Sequence, residues 1–548
     1  MERLARSGVR PFPGPPLCLD PDRMAAVDQA AVEAGLPGAA LMESAGRETA
    51  REIRRRWPGP GRGVVLVGGG KNGGDGLVVA RHLREAGWEV EIRLLADPSR
   101  LTGDAGLQWR LVEPMGLPVQ RVSKPDDPLD LDGATVVVDA LLGTGLTGIV
   151  REPVRSAIEA LVSSALPVVA VDTPSGLDGR TGRIQGIAAR ALVTVTFGFP
   201  KPGLFLADGP AHVGRLVAAT LAYPPAARAA AGPSPLAWIT LETAVRALPP
   251  RRHDAHKGSM GRLLVVAGSE RYRGAAALVV GAALRSGVGM CVAATPEPVA
   301  GFLLAQYPES IVVSLPVTRA GALAARAVDV VARAAEEADA VAVGPGLGTG
   351  GRVRDLVEAA LQAGVPAVVD ADALNALAKD PAPVKREAAT ILTPHPGELA
   401  RWGSRQADRV DADRVESARE AARVHRCTVL LKGSPTVVAG TDGETRLNLT
   451  GNPGLATGGS GDVLTGVLGS LLAQGVDPTT ASRAAPFLHG LAADWAARDL
   501  GERGLVPGDL LRYVPLAVRE IAAGRGVDLL ERIDHRYGDL LAATGGGA

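Results

Sequence analysis

The sequence is short of aromatic residues, of cysteine and of net charge. Aromatic side chains make up 3% of its 548 residues, too few for the stacking platforms on which single-stranded nucleic acids bind. Its 59 basic residues are matched by 59 acidic ones, so no cationic excess exists to neutralise a phosphate backbone. Three cysteines, Cys18, Cys291 and Cys427, stand far apart without C-x-x-C spacing. They argue against a disulfide framework or a thiolate zinc site and point to a reducing, cytoplasmic setting. No run reaches the ~18 uninterrupted apolar residues of a spanning helix, and the opening "MERLARSGVRPFPGPPLCL" lacks the apolar core of a signal peptide. Neither a membrane nor a nucleic acid is expected as partner.

What the sequence does hold is glycine, 69 residues, within a composition 46% hydrophobic and 22% charged. That is the profile of a globular chain, and its length calls for about two to four domains. Residues 1–16 read as a flexible, Pro-rich lead-in and residues 22–56 as helical. β-rich runs then alternate with helical stretches: "GVVLVG", "EVEIRLLA", "ATVVVDALL", "LPVVAVDTPSG", "ALVTVTFGFP". Strand–helix alternation at this spacing predicts a parallel sheet covered on both faces. The pattern fades at "AYPPAARAAAGPSPLAW", where prolines and small residues continue neither element. A second α/β series runs from "GRLLVVAGS" to "CTVLLKGSPTVVAG" and ends in helices over about 462–522. The expected organisation is a first domain over 17–221, a linker over 222–240, a second domain over 241–525 and a partly disordered tail over 526–548.

In the first half, "GGGKNGGDG" follows a strand and opens a helix, and Gly68, Gly70 and Gly73 satisfy G-x-G-x-x-G. Such a turn lets backbone amides approach a diphosphate, but it lacks the G-K-[ST] ending of a P-loop. Asp75 is awkward in a phosphate cradle. It suggests a polar substrate group, a bound cation, or a helix cap in an otherwise structural turn. Two further strand ends, "VVVDALLGTGLTG" with Asp139 and "VVAVDTPSGLDG" with Asp172 and Ser175, are also polar and glycine-rich. The carboxyl ends of strands in an open parallel sheet line one crevice, so the three converge. Two carboxylates brought together repel unless protonated or bridged, which admits a metal or alkali ion beside Asp139.

The stretches "GGGKNGGDGLVVARHL", "DALLGTGLTG", "VDTPSGLDGRTG" and "FGFPKPGL", in order across about residues 20–220, resemble the NAD(P)H-hydrate epimerase family. The resemblance implies a Rossmann-like three-layer sandwich and a potassium ion held by Asn72, Asp139 and Ser175. It further implies substrate contacts from Lys71, Asn72, Gly73, Gly74 and Asp75, and from Gly143, Thr144, Gly145, Leu146, Thr147, Gly148 and Ile149. Asp172 would stand at the hydrated nicotinamide ring and shuttle a proton. The family loop usually reads "NNGGDG"; here Lys71 replaces the first asparagine. Lysine neither accepts a hydrogen bond nor ligates a cation, which points Lys71 at a phosphate instead.

In the second half, "NPGLATGGSGDVLTG" leads glycines 458, 459 and 461 into an apolar helical run with Asp462 in its first turn. Amides at a helix start can hold a transferring phosphoryl group, and a carboxylate beside them can take the proton from an attacking hydroxyl. The bland alternative is a charge offsetting the helix dipole. The Gly-Gly-x-Gly-Asp arrangement resembles the ribokinase-like superfamily. With "HKGSMGRLLVVAGS", "GPGLG", "VVDADALN", "TPHPGELARW" and "LKGSPTVVAG", residues 250–522 resemble the ADP-dependent NAD(P)H-hydrate dehydratase family. The resemblance implies hydrate contacts from Ala275, Gly346, His395 and Asp462, with Asp462 as catalytic base. It places the nucleotide on Lys432, Gly433, Ser434, Pro435, Thr436 and Gly461, although Pro435 has no amide to donate. ADP is the implied co-substrate, and Mg2+ bridging its phosphates is reasonable. His395, between two prolines at a strand end, reads as a site residue, whereas His82, His212 and His489 read as packed or surface residues.

The expected whole is a bifunctional repair enzyme for hydrated NADH and NADPH, and a homo-oligomer. Two rivals stand beside it: a C-terminal kinase of a thiamine or pyridoxal precursor, and an N-terminal half that binds ligand without catalysis.

Overall fold

The computed structural model describes residues 12, 16–232, 236–248, 251–379, 386–403 and 406–543. The chain divides into two compact units, residues 1–234 together with 534–548, and residues 235–533.

The valine-rich runs of the first unit become seven strands: β1 Arg62–Val67, β2 Glu89–Leu94, β3 Val119–Arg121, β4 Val136–Ala140, β5 Val168–Val171, β6 Val193–Phe197 and β7 Arg215–Ala219. They form one parallel sheet in the order β3-β2-β1-β4-β5-β6-β7. Along β1, Val65 and Val67 enter one apolar cluster while Val64 and Leu66 enter another. Both faces are therefore buried, which explains why these strands read as continuous apolar runs. Strand order reverses between β1 and β4, and such a switch point opens a crevice at the strands' carboxyl ends. The register pairs Leu66 with Asp139 and Asp139 with Ala170, levelling the three expected strand ends.

The second unit carries β8 Leu236–Trp238, β9 Arg262–Val266, β10 Met290–Pro296, β11 Ile311–Leu315, β12 Ala340–Val343, β13 Ala367–Val369, β14 Thr390–Leu392, β15 Thr428–Leu431, β16 Thr436–Ala439 and β17 Thr445–Asn448. Their order is β11-β10-β9-β12-β13-β14-β15-β16-β17-β8. From β11 to β15 the pairing is parallel; β16 turns back on β15, and β17 on β16. The helix Ser460–Ala473 is buried at almost every position, as a helix apolar all round must be. Among the described residues, no helix is long and apolar enough to cross a membrane.

Two sequence expectations need correction. The stretch read as a linker is structured on both sides of residues 233–235, which lie outside the described residues. Pro225–Ala230 is a helix entered by prolines, with Ala227 buried, and β8 pairs with β17. The segment read as a tail is also ordered up to residue 543. Gly526–Arg532 is helical, and residues 534–543 pack within the first unit. There the buried Arg215 pairs with Asp534 at 2.6 Å and Asp539 at 3.3 Å, and Leu216 N donates to Arg536 O at 3.0 Å. Residues 544–548 lie outside the described residues, as do 1–11 and 13–15 of the expected lead-in, whose Phe12 is buried.

Candidate active sites

In the first unit, the helix Lys71–Glu85 starts directly after the loop that leaves β1, with Gly70 as its N-cap. A helix start leaves its first amides, here those of Lys71, Asn72 and Gly73, without intrahelical acceptors. The loop's glycines do another task as well. A Cβ on Gly73 would lie 1.9 Å from Gly68 O, and one on Gly68 1.9 Å from Leu141 O. These glycines let helix, loop and β4 exit close on one another. Gly74 is likewise packed against Met42. Asp75 does not cap the helix, since that place belongs to Gly70 and Asp75 falls beyond the first turn.

The three strand ends meet as expected. Ser175 Oγ donates to Asp139 Oδ1 at 2.5 Å and accepts from Leu142 N at 2.8 Å, while Ser175 N donates to Asp139 Oδ2 at 2.8 Å. Asn72 Nδ2 donates to Leu142 O at 3.0 Å. Burial raises the pKa of Asp139, against the lowering pull of the Ser175 hydrogen bonds. Asp139 makes no ion pair among the described residues, and its hydrogen-bond donors are Leu141 N, Ser175 N and Ser175 Oγ. The atoms there that could ligate a cation are oxygens, those of Asp139, Ser175 and Asn72, which suit a hard ion. Gly143 abuts Asn72, and the turn that follows, Thr144, Gly145, Leu146, Thr147 and Gly148, is open or half-open to solvent up to the exposed Ile149.

Asp172, one residue past β5, has φ +62°, a left-handed conformation that costs a non-glycine residue about 1 kcal/mol or more and concentrates at functional sites. Thr196 Oγ1 donates to its Oδ1 at 3.0 Å and Phe197 N at 3.3 Å, and Lys201 Nζ donates to the same oxygen. Asp75 is partly exposed as a residue, yet its carboxyl is withdrawn from water. That burial, then Asp172 and Asp28, holds its pKa well above the usual range, while Lys201 and Lys71 pull it down. Asp28, which accepts from Tyr223 Oη at 2.7 Å, is also raised by burial. Lys201, Thr196, Asp28 and Tyr223 were missed by sequence reasoning. Only Lys201 left a signal, a lysine between prolines in "FPKPG".

The second unit gathers its site at the carboxyl ends of β12 to β15. Gly459 caps the helix Ser460–Ala473 at φ +100°, which suits glycine, and the amides of Gly461 and Asp462 at that helix start have no intrahelical acceptor. Buried Asp370, just past β13, accepts from Lys432 Nζ at 2.5 Å and from Thr465 Oγ1 at 2.7 Å. Lys432 Nζ also lies 3.9 Å from buried Glu398. Burial works against its charge, but Asp370 and Glu398 hold the Lys432 pKa above its usual value. Gly461 lies beside that ammonium, a Cβ there being 3.3 Å from Lys432 Nζ. Asp462 is pushed up to about 7, first by burial, then by the like charge of Asp370.

His395 Nδ1 accepts from Gly397 N at 3.0 Å and Glu398 N at 3.4 Å, leaving the proton on Nε2, 3.4 Å from Glu398 Oε1. Burial lowers its pKa, against the raising pull of Glu398. Gly346 and Ala275 are in contact, and Gly459 meets Leu278 on the helix that carries Ala275. The loop Lys432, Gly433, Ser434, Pro435, Thr436 is braced by Arg414, whose Nη2 donates to Lys432 O at 2.8 Å and Pro435 O at 3.1 Å. Asp370, Glu398, Thr465 and Arg414 carry no role in the sequence reading; "VVDADALN" and "TPHPGE" mark two of them only as motif members.

Known proteins match along both units. Residues 38–203 match the family described as YjeF-related protein N-terminus, and residues 263–516 the family described as NAD(P)H-hydrate dehydratase. The bifunctional NAD(P)H-hydrate repair enzyme Nnr of Moorella thermoacetica is 40% identical over 516 residues, covering 90% of this chain and 96% of that protein. Its namesake in Thermofilum pendens is 39% identical over 500 residues, covering 90% of this chain and 94% of that protein. Among solved structures, the ADP/ATP-dependent NAD(P)H-hydrate dehydratase of Bacillus subtilis, co-crystallized with ATP/Mg2+, is 34% identical. It covers 52% of this chain and 98% of that one, with a TM-score of 0.46.

Proposed function

The chain belongs to the bifunctional NAD(P)H-hydrate repair enzymes, and from that membership we propose how its two sites divide the work. It is both an isomerase and a lyase. One activity interconverts the R and S forms of hydrated NADH and NADPH; the other dehydrates the S form at the expense of ADP, giving NAD(P)H, AMP and phosphate. The precursor-kinase and non-catalytic readings are not favoured, since relatives of this one kind match both halves.

In the second unit, Asp462 takes the proton of the substrate hydroxyl, whose oxygen attacks the terminal phosphorus of ADP; AMP leaves with the bonding pair. The ring nitrogen then expels phosphate, and loss of a ring proton restores the double bond. The observation that carries this assignment is a carboxyl poised near neutrality beside open helix amides and the Lys432 ammonium. Those donors are arranged to hold the transferring phosphoryl group. His395, with Ala275 and Gly346, contacts the hydrate; residues 432–436 and Gly461 take the nucleotide. Mg2+ would come with the nucleotide held by residues 432–436 and Gly461, and would supply positive charge at its phosphates.

In the first unit, Asp172 moves the proton of the epimerising hydroxyl. The substrate is held by the amides and side chains of residues 71–75 and by residues 143–149, with Lys71 on a phosphate. Asn72, Asp139 and Ser175 would hold potassium, which would supply positive charge beside the substrate. We assign the protein to the cytoplasm and to a homo-oligomer.

The test mixes both epimers of NADH hydrate with the protein and follows reduced-nicotinamide absorbance with and without ADP. Full recovery is expected with ADP only. Asp462→Asn should lower its rate by at least about 100-fold, and Asp172→Ala should slow the R fraction alone. Undiminished dehydration by Asp462→Asn would overturn the assignment of the base.

A further inference from the structure

Lys201 is buried, 2% exposed at its side chain, and stands between Pro200 and Pro202. An ammonium so placed costs stability unless fully partnered. Its three protons have three acceptors: Asp172 Oδ1, Thr196 Oγ1 at 3.2 Å and Phe197 O at 3.2 Å. Flanking prolines narrow the backbone on both sides of it. Pro200 O accepts from Leu19 N at 3.1 Å and Lys201 O from Leu204 N at 3.1 Å, fixing the segment in place.

The distribution of donors on Asp172 is uneven. Oδ1 receives Lys201 Nζ, Thr196 Oγ1 and Phe197 N, while Oδ2 has no hydrogen-bond partner among the described residues. A carboxylate oxygen offers about two lone-pair directions, so three donors saturate Oδ1 and leave the basic electron pairs on Oδ2. The side chain keeps 14% of its surface exposed, at the crevice. With the left-handed backbone at Asp172, the carboxylate is held in one orientation from both ends.

We propose that Lys201 is the positioning residue of the epimerase site: with Thr196 and the amide of Phe197 it clamps Oδ1 of Asp172, so that Oδ2 is the oxygen that exchanges a proton with the hydrate. This rests on Asp172 being the proton-moving group. The exchange is balanced by either route. If the ring carbon–nitrogen bond breaks, its pair leaves on nitrogen, delocalised into the carboxamide-bearing double bond, while Oδ2 takes the hydroxyl proton as the carbonyl forms; it returns that proton to the carbonyl oxygen when nitrogen closes on the other face. If the carbon–oxygen bond breaks, protonated Oδ2 gives its proton to the departing oxygen as the ring nitrogen's pair forms the iminium, and takes one back when water adds to the opposite face. The other charged groups near the clamp are Asp75, Asp28 and Lys71. None of them donates to Oδ1.

The test follows epimer interconversion by NMR on the full-length protein without ADP, so that the dehydratase does not turn over, and separates kcat from KM. Lys201→Met is expected to lower kcat by about 100-fold while KM for the hydrate stays within about threefold, the pattern of a misplaced catalytic group. Lys201→Ala should regain at least about tenfold of the lost rate with added methylammonium, which a merely structural lysine would not permit. Thr196→Val removes one clamp donor and should lower kcat by about fivefold. It decides the matter if the lysine variants do not fold: an unchanged kcat in Thr196→Val then overturns the clamp. Asp172→Ala separates the two levels. If it still epimerises, the Asp172 reading fails; if it is dead while Lys201→Met keeps its kcat, only the clamp fails.

Discussion

Each site surrounds the aspartate proposed as its proton-moving group, and the two do it differently. Asp462 is pushed up to about 7 by burial and by Asp370. A general base acts only when ionised, so below about 7 its protonated fraction grows. The kcat/KM for dehydration is expected to fall about tenfold per unit on the acid side and to level off above, measured across roughly pH 5.5–8.5. A flat acid limb would remove Asp462 as the base. Asp172 relies instead on hydrogen-bond donors gathered on one oxygen. At this scale the sequence is partly legible. Asp139, Asp172, Ser175 and Asp462 are marked by glycine-rich strand or helix ends. Their partners are not, because Lys201 meets Asp172 across 29 residues and Lys432 meets Asp370 across 62. No local spacing tells which lysine a fold will bury.

At the scale of elements, the glycine loop separates two requirements that one motif superposes. Gly73 is demanded by packing, whereas a Cβ at Gly70 would meet nothing within 4 Å, at φ −105°. Gly73→Ala should therefore destabilise the first unit by about 1–3 kcal/mol through overpacking. Gly70→Ser, which offers a good N-cap side chain, should change stability by less than about 0.5 kcal/mol. Urea unfolding of the two variants checks this; equal losses would contradict it. Alternating strands and helices are legible because both faces of a parallel sheet demand apolar runs. The supposed linker is not, because β8 becomes a strand only by pairing with β17, more than two hundred residues later. A three-residue edge strand carries no period of its own to read.

At the scale of the whole molecule, the first unit is completed by residues that follow the second. Arg215, 9% exposed at its side chain, depends on Asp534 and Asp539 for its charge partners. Ending the chain after Ile533 removes both carboxylates together with the buried Tyr537, Leu540 and Leu541, and should destabilise the first unit by at least about 3 kcal/mol. The expected reading is epimerase activity lost at lower urea than in the full chain, with dehydratase activity retained; an unshifted epimerase midpoint would show that the returning segment contributes nothing. The same return governs how the protein is made. A ribosome adding about 5–20 residues per second needs roughly 15–60 s to build the second unit after the first has emerged. Throughout that interval the newborn epimerase half waits with Arg215 unanswered, so it is finished as a domain only once residues 534–543 have emerged, and a ribosome stalled before them would leave it open to proteases and chaperones.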